Sequence, residues 1–300
     1  MAEQQRIEPL PYEERYFPYH EKYLEFWRKS VEDPISFWDK LARELVWYKT
    51  WDKVLDDSNP PFYRWFVGGE TNINLNALDR WMGTWVANKV AYYWEGEDYT
   101  TRVLTYRDLY REVNKLAKAL QDLGVKPNDT VTIYLPMIPE LPISMLAVTR
   151  VGGIHSVVFS GFSPEALATR IVDAKSRILI TVDGYWRAGK VIEAKKNADQ
   201  AVVLAEQQGV KVEKVIVVKR LGNPINWVEG RDVWYHELVS KYPDNTYVKP
   251  VPRKSDDVLF ILYTSGTTGK PKGIMHSVGG YMVYVYHVFK WNWDIRPEDV

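Results

Sequence analysis

Residues 258–262, Val-Leu-Phe-Ile-Leu, run directly into Tyr263-Thr264-Ser265-Gly266-Thr267-Thr268-Gly269-Lys270-Pro271-Lys272-Gly273. An apolar strand thus feeds a stretch dense in glycine, hydroxyl and ammonium groups. Glycine lets backbone N–H groups come close to an anion. Thr264, Ser265, Thr267 and Thr268 add hydroxyl donors, and Lys270 and Lys272 add positive charge. Pro271 resists continuation as a helix. The chemistry this favours is the binding of a polyphosphate. An ordinary Gly-Thr turn would need only part of this string. The P-loop pattern G-x-x-x-x-G-K-[ST] does not fit either. Counting from Gly266, Pro271 stands where its second glycine belongs, and Gly273 rather than a hydroxyl residue follows Lys272.

The elements that must position this loop are legible upstream. Thr105 and Asp108 form a capping-box-like start. Leu109, Val113, Leu116, Ala117 and Leu120 repeat at helical spacing, and Gly124 closes the helix. Strands are expected at 131–135, 156–159, 178–182 and 215–218. Helices are expected near 140–150, from Ser163-Pro164-Glu165 onward, and from about 190 to 208. Alternating helices and near-continuous apolar strands mark a buried, largely parallel sheet covered by helices, an α/β fold. Residues 1–85 read differently, as a helical, aromatic extension. Asp33-Pro34 resembles an N-cap with proline in the first turn, and Trp38, Leu41, Ala42 and Leu45 follow at helical spacing. Breaks fall at Asn59-Pro60-Pro61 and Gly68-Gly69. The stretch 240–257 reads as a surface loop.

Composition bounds the rest. The 300 residues hold 39 Lys plus Arg against 39 Asp plus Glu, so no net charge draws the chain to nucleic acid or to an anionic membrane. There is no cysteine, which excludes disulfides, zinc–thiolate sites and thiol nucleophiles. The five histidines show no HxxxH pair, so no metal site is expected. No secretory signal and no run of about 18 apolar residues is present. The expectation is a cytoplasmic protein. Most of the 13 tryptophans precede residue 100 without interleaved basic residues, which favours a packed aromatic layer over a base-stacking surface.

The string 263–273 resembles the phosphate-binding signature of the adenylate-forming, AMP-binding superfamily. The flanking Phe260-Ile261-Leu262 and His276–Tyr281 narrow the resemblance to acetyl-CoA and other short-chain acyl-CoA synthetases. Phe37-Trp38, Trp51–Leu55, Arg64-Trp65-Phe66 and Gly68-Gly69 agree. The resemblance runs from about residue 20 to residue 300. It implies a layered α/β fold, residues 1–85 being the family's N-terminal extension and 86–300 the first part of the AMP-binding domain. Ile154–Glu165 is similar to a segment that seats the CoA nucleotide, and implies CoA contacts at Phe159, Ser160 and Gly161. Asp183–Lys190 is similar to one whose basic residues meet CoA phosphates, and implies contacts at Arg187, Ala188, Gly189 and Lys190. The family usually carries glycine at the position of Ser160 and often arginine at that of Lys190. By composition alone Arg187 and Lys190 would be plain surface charges.

What the resemblance implies is ATP-dependent ligation of a short carboxylic acid, acetate first, to CoA. The reaction passes through an acyl-adenylate and releases AMP and pyrophosphate. ATP would be held by Thr264, Ser265, Gly266, Thr267, Thr268, Gly269, Lys270 and Lys272, with Lys272 also stabilising phosphate charge in catalysis. ATP, CoA and Mg2+ are the implied cofactors. The implied partners are small molecules rather than nucleic acid or membrane, and a homo-oligomer of the full-length enzyme is compatible with this. In the family the acyl pocket, the adenine contacts and a mobile lid lie further on. The chain therefore reads as a truncated portion, with an unfinished sheet, an apolar face left open and no turnover alone. Propionyl-CoA or 3-hydroxypropionyl-CoA synthetase is the alternative within the class. Beside it stand an adenylate-forming enzyme that uses no CoA, and a non-catalytic nucleotide-binding protein on the same scaffold.

Overall fold

The computed structural model describes residues 20–264 and 271–299. Helices α1 (His20–Glu32) and α2 (Pro34–Ala42) come first. The side chain of Asp33 accepts from the N–H of Ser36, and Pro34 occupies the first turn of α2. The helical reading of this region then needs correction. Strands β1 (Lys53–Asp56) and β2 (Arg64–Val67) pair antiparallel, with Leu55 opposite Trp65. The Asn59-Pro60-Pro61 break does not merely interrupt a helix but reverses the chain between the two strands. β3 (Glu70–Thr71), the short helix α3 (Ile73–Ala77) and two 3-10 turns lead on to the hairpin β4 (Val90–Glu95) and β5 (Thr101–Thr105).

Helix α4 (Tyr106–Asp122) follows, capped as its sequence foretells. Thr105 and Asp108 bond each other's backbone N–H groups reciprocally. Each cap satisfies a donor that the first helical turn cannot. Leu109, Val113, Leu116, Ala117 and Leu120 are all buried, and Gly124 takes φ +85° just past the end.

The remaining elements are β6 (Thr130–Ile133), α5 (Glu140–Arg150), β7 (Ile154–Val157), α6 (Pro164–Ala174), β8 (Ile178–Val182), β9 (Tyr185–Arg187) and β10 (Lys190–Ile192). Then come α7 (Ala194–Gln207), β11 (Lys214–Val218), β12 (Asp232–Trp234), α8 (Tyr235–Ser240), β13 (Arg253–Lys254), β14 (Val258–Thr264), β15 (Lys272–Ser277) and α9 (Val278–Asn292). One seven-stranded sheet has the order β12-β11-β8-β6-β7-β14-β15. All its pairs are parallel except β14–β15. The chain steps from β6 to β7 on one side, then returns across β6 to β8. Right-handed crossovers therefore place α5 and α6 on opposite faces of the sheet. The packing agrees: α4 lies against α5 and α8, and α6 against α7.

Four further local expectations are corrected. The second strand begins earlier than foreseen, at Ile154. Residues 190–192 form a strand rather than the start of a helix, because the turn at 188–189 folds Ile192 back onto Tyr185. The strand 258–262 is only partly buried, since just one further strand separates it from open solvent. Leu262, Ile274 and Met275 are exposed there. Within 240–257, Val248, Arg253 and Ser255 are buried. Arg253 bonds the Gly152 carbonyl and Asn128, which ties the segment to the sheet.

The main core lies between the sheet and its helices, around residues such as Val131, Ile133, Leu179, Ile180, Val215 and Ile216. A second cluster joins Ala42, Leu45 and Phe66 of the early region to Met282 and Val283 of α9, with Trp38, Trp47, Trp51 and Trp65 packed around it. The early tryptophans are thus a packing layer that braces the helix following the glycine-rich segment. The Trp47 and Trp51 rings lie 5.0 Å apart, edge to face, a geometry worth about 1 kcal/mol beyond burial.

Candidate active site

In an open parallel sheet, ligands bind outside the carboxyl ends of the strands, where the strand order reverses. Here the reversal falls at β6, between β7 and β8. A cleft of about 360 Å3 opens there, lined by Leu135 and Met137 after β6, Phe159 and Ser160 after β7, and Tyr185 and Arg187 after β8. The topology thus collects into one cleft residues that are separate in sequence, Phe159 and Ser160 with Tyr185, Trp186 and Arg187, whereas Gly161, Ala188, Gly189 and Lys190 are not part of its lining.

The ring of Phe159 is exposed, and the Arg187 guanidinium lies 4.6 Å over its centre. Phe162 packs edge-on against Phe159 at 5.5 Å. Gly161 permits this arrangement: a Cβ there would sit 2.7 Å from Phe159 Cε1 and 3.2 Å from Arg187 Nη1. Ser160 points inward, its hydroxyl donating to the Tyr185 hydroxyl at 2.9 Å in a buried contact. Ser160 therefore acts as a strut beneath the cleft, whereas Phe159 and Arg187 form its accessible surface. Such a pairing of an exposed ring with a cation can take the flat face of a base beside a phosphate.

Arg187 and Lys190 are opposite partners in the two-stranded ribbon β9–β10. Ala188 and Gly189 between them have φ of 49° and 70°, the positive values that a type I′ turn requires at both positions. A buried carboxylate anchors this segment. Asp183 accepts from the N–H groups of Gly184, Arg220, Leu221 and Gly222 at 2.6 to 3.2 Å. The loop 220–222 is thereby locked beside the ribbon, and the Arg220 side chain reaches Asp98 at 2.7 Å in the β4–β5 turn.

The glycine-rich segment lies at the carboxyl end of β14. Since β14 is parallel to β7, with Phe260 opposite His155, this end shares the sheet edge that carries the cleft. Of the residues expected to bind ATP, Ser265, Gly266, Thr267, Thr268, Gly269 and Lys270 lie outside the described residues. Thr264 and Lys272, which flank them, are opposite partners of β14 and β15, and both are exposed. The segment therefore connects two antiparallel strands. That sets it apart from a P-loop, which joins a strand to a helix.

Its base is held from the side by α6. The Tyr263 hydroxyl donates to Asp173 at 2.7 Å. Burial first, and then the Asp173 carboxylate, push the Tyr263 phenol well above its usual range and keep it neutral. Arg170 is buried, with its guanidinium 4.7 Å from the Phe162 ring and 5.3 Å from Tyr263. Contacts thus run unbroken from Arg187 through Phe159, Phe162 and Arg170 to Tyr263. On the strand behind, His155 stacks on Phe260 at 5.2 Å. Burial pushes its imidazole pKa down to about 3, so it is neutral near pH 7.

Sequence reading alone did not find Arg170, Asp173, Asp183, Arg220 or Glu97 of the β4–β5 turn. Asp183 stands just before the ribbon but joins it to residues 220–222, and the others meet their partners Tyr263, Asp98 and Ala188 across long sequence separations. Only the Gly96-Glu97-Asp98 tip, with the glycine and acidic composition of a turn, offers a signal in the sequence.

The geometry can be set beside known proteins. The profile of the AMP-binding enzyme family matches residues 78–300, and that of the acetyl-coenzyme A synthetase N-terminus matches residues 23–77. An acetyl-coenzyme A synthetase of Pyrobaculum aerophilum is 54% identical over 287 residues, covering 93% of this chain and 42% of that protein. One of Methanothrix thermoacetophila is 48% identical over 282 residues, covering 93% and 41%. A 3-hydroxypropionyl-coenzyme A synthetase of Sulfurisphaera tokodaii is 46% identical over 300 residues, covering 100% and 44%. The solved acetoacetyl-CoA synthetase from Streptomyces lividans superposes with a TM-score of 0.80 at 28% identity, over 89% of this chain and 40% of that one. The chain spans less than half the length of these relatives. With a family profile matched over most of its residues and a sheet of the same build as a solved synthetase, the chain belongs to the AMP-binding enzyme family.

Proposed function

We propose that this chain is the front portion of an ATP-dependent ligase that joins a short carboxylic acid, acetate first, to CoA. The observation that supports the reading is that the Phe159–Arg187 cleft and the end of the strand leading into the glycine-rich string share one sheet edge. The glycine–hydroxyl–lysine string follows β14, and the Phe159–Arg187 cleft follows β7 and β8. Residues 1–85 are taken as an extension, whose described part packs against α9, and residues from 86 onward as the first part of the AMP-binding domain.

A carboxylate oxygen attacks the α-phosphorus of ATP, the bond to the β-phosphate breaks, and pyrophosphate leaves. The thiolate of CoA then attacks the acyl carbon, AMP departs, and the thiol proton goes to solvent. In the first step Thr264, Lys272 and the residues between them hold the departing phosphates, with Lys272 offsetting their charge. In the second, Phe159 stacks the CoA base while Arg187 and Lys190 meet its phosphates, over the strut of Ser160 and against Gly161, Ala188 and Gly189. Among the described residues no group of three or more His, Asp or Glu side chains could hold a metal ion. In this reading magnesium enters as part of the ATP substrate, carried on its phosphate oxygens.

The identity shared with an acetyl-coenzyme A synthetase supports acetate, and the Sulfurisphaera relative supports 3-hydroxypropionate as the second choice. No described helix is long and apolar enough to cross a membrane. The test is a panel of acetate, propionate and 3-hydroxypropionate with ATP and CoA, using the intact protein. AMP, pyrophosphate and a thioester are expected in equal amounts, with acetate fastest. ADP and phosphate as products, or no thioester from any acid, would overturn the reading.

A further inference from the structure

The basic turn of the cleft already holds an anion. Ala188 donates its N–H to Glu97 Oε1 at 2.8 Å, and Gly189 donates to Oε2 of the same carboxylate at 3.3 Å. Both turn residues have positive φ, so consecutive N–H groups converge on one acceptor in the manner of an anion nest. Ala188 holds that conformation without being glycine, which costs on the order of 1 kcal/mol. Arg187 and Lys190 face each other across the turn, and like charges directly opposite are destabilising. The Glu97 carboxylate accepts from both amides of the turn and so sets a negative charge on the segment that joins the two cations. It comes from the tip of the β4–β5 hairpin, which is itself clipped in place where Asp98 accepts from Arg220 and from the Thr100 hydroxyl, each at 2.7 Å.

We infer that Glu97 is an internal competitor for the phosphates of CoA and sets the affinity of the thiol substrate. This rests on the placement of CoA proposed above. A phosphate entering between Arg187 and Lys190 needs the same amides, so binding requires the hairpin tip to release them. Apparent affinity then falls by the fraction of molecules in which the turn is open. A single weak anion gains little by displacing a carboxylate already in place. A ligand that also lays a ring on Phe159 gains enough, so the device favours a nucleotide-bearing polyanion over a simple one.

The experiment compares the Michaelis constant for CoA with that for pantetheine, a thiol without phosphates, in the intact protein and in Glu97→Gln and Glu97→Ala. Loss of the competing charge is expected to lower the constant for CoA on the order of 3- to 10-fold. The ratio of the pantetheine constant to the CoA constant should rise by the same factor. A purely structural role, in which Glu97 only props the turn, moves the ratio the other way, because a loosened turn binds phosphate less well. An unchanged or lower ratio therefore overturns the inference and leaves the ligase reading standing. A wild-type protein that forms the adenylate but never uses CoA overturns the CoA placement as well. Thermal melting of both variants separates misfolding from altered binding. Should Glu97→Ala prove unstable, Glu97→Gln, which keeps the shape and removes the charge, decides the question.

Discussion

Gly161 is a position where one methyl group is decisive. The Cβ of Gly161→Ala would press on the Phe159 ring and the Arg187 guanidinium, so ring and cation must part. We expect a roughly tenfold rise in the Michaelis constant for CoA, about 1.4 kcal/mol, with acid-dependent pyrophosphate exchange retained. A variant that binds CoA normally would show that the Phe159–Arg187 pairing is incidental. His155 supplies a pH test. Its folded pKa of about 3 lies below the ordinary value of 6.5, so the unfolded chain binds the extra proton first. Stability is therefore retained above about pH 6.5 and is lost as pH falls below it, by at most about 1.4 kcal/mol per unit. His155→Phe keeps an aromatic ring against Phe260 and removes the titration. Denaturant melts at pH 7 and pH 4.5 should show a smaller acid loss in the variant, and equal losses would contradict the assignment.

At the scale of elements, a buried charge cluster anchors α7. Lys195 lies 2.7 Å from Asp199 and 2.9 Å from Asp232, with Arg231 2.6 Å from Asp232. Burial alone would raise the Asp232 carboxyl. The Arg231 contact, the Val228 N–H and Lys195 outweigh it and hold Asp232 below the usual range. Removing one partner leaves charge uncompensated in the interior, which costs about 3–5 kcal/mol. Lys195→Met should therefore unfold at clearly lower denaturant, and a midpoint matching wild type would refute the coupling. The elements that were legible in the sequence are those with local rules. The Thr105–Asp108 cap, the stripe on α4 and the Asp33-Pro34 start each depend on residues within a turn or two. The ribbon β9–β10 was missed because its apolar Val191 and Ile192 precede a true helix without any break. The β1–β2 pairing was missed because its strands are short and its partner register is set by packing against α9.

For the molecule as a whole, the sequence pointed to phosphate chemistry but not to how its residues are gathered. Nothing in the sequence of residues 159–160 and 185–187 says that they line one cleft, or that the strand β14 ends on the same edge of the sheet. That follows from the reversal of strand order at β6 and from β14 joining beside β7, both long-range events. The resemblance to acyl-CoA synthetases implies the roles, and the sheet gives the proposed segments a common edge. The most direct measurement is exchange of radiolabelled pyrophosphate into ATP by the intact protein, with acetate present and CoA absent, for wild type and Lys272→Ala. Acetate-dependent exchange in wild type is expected, with the variant weakened by about 1–3 kcal/mol, the scale of a lost charge-assisted contact. Exchange that persists undiminished without Lys272, or no exchange with any short acid, would contradict the claim that this segment holds the triphosphate while the adenylate forms.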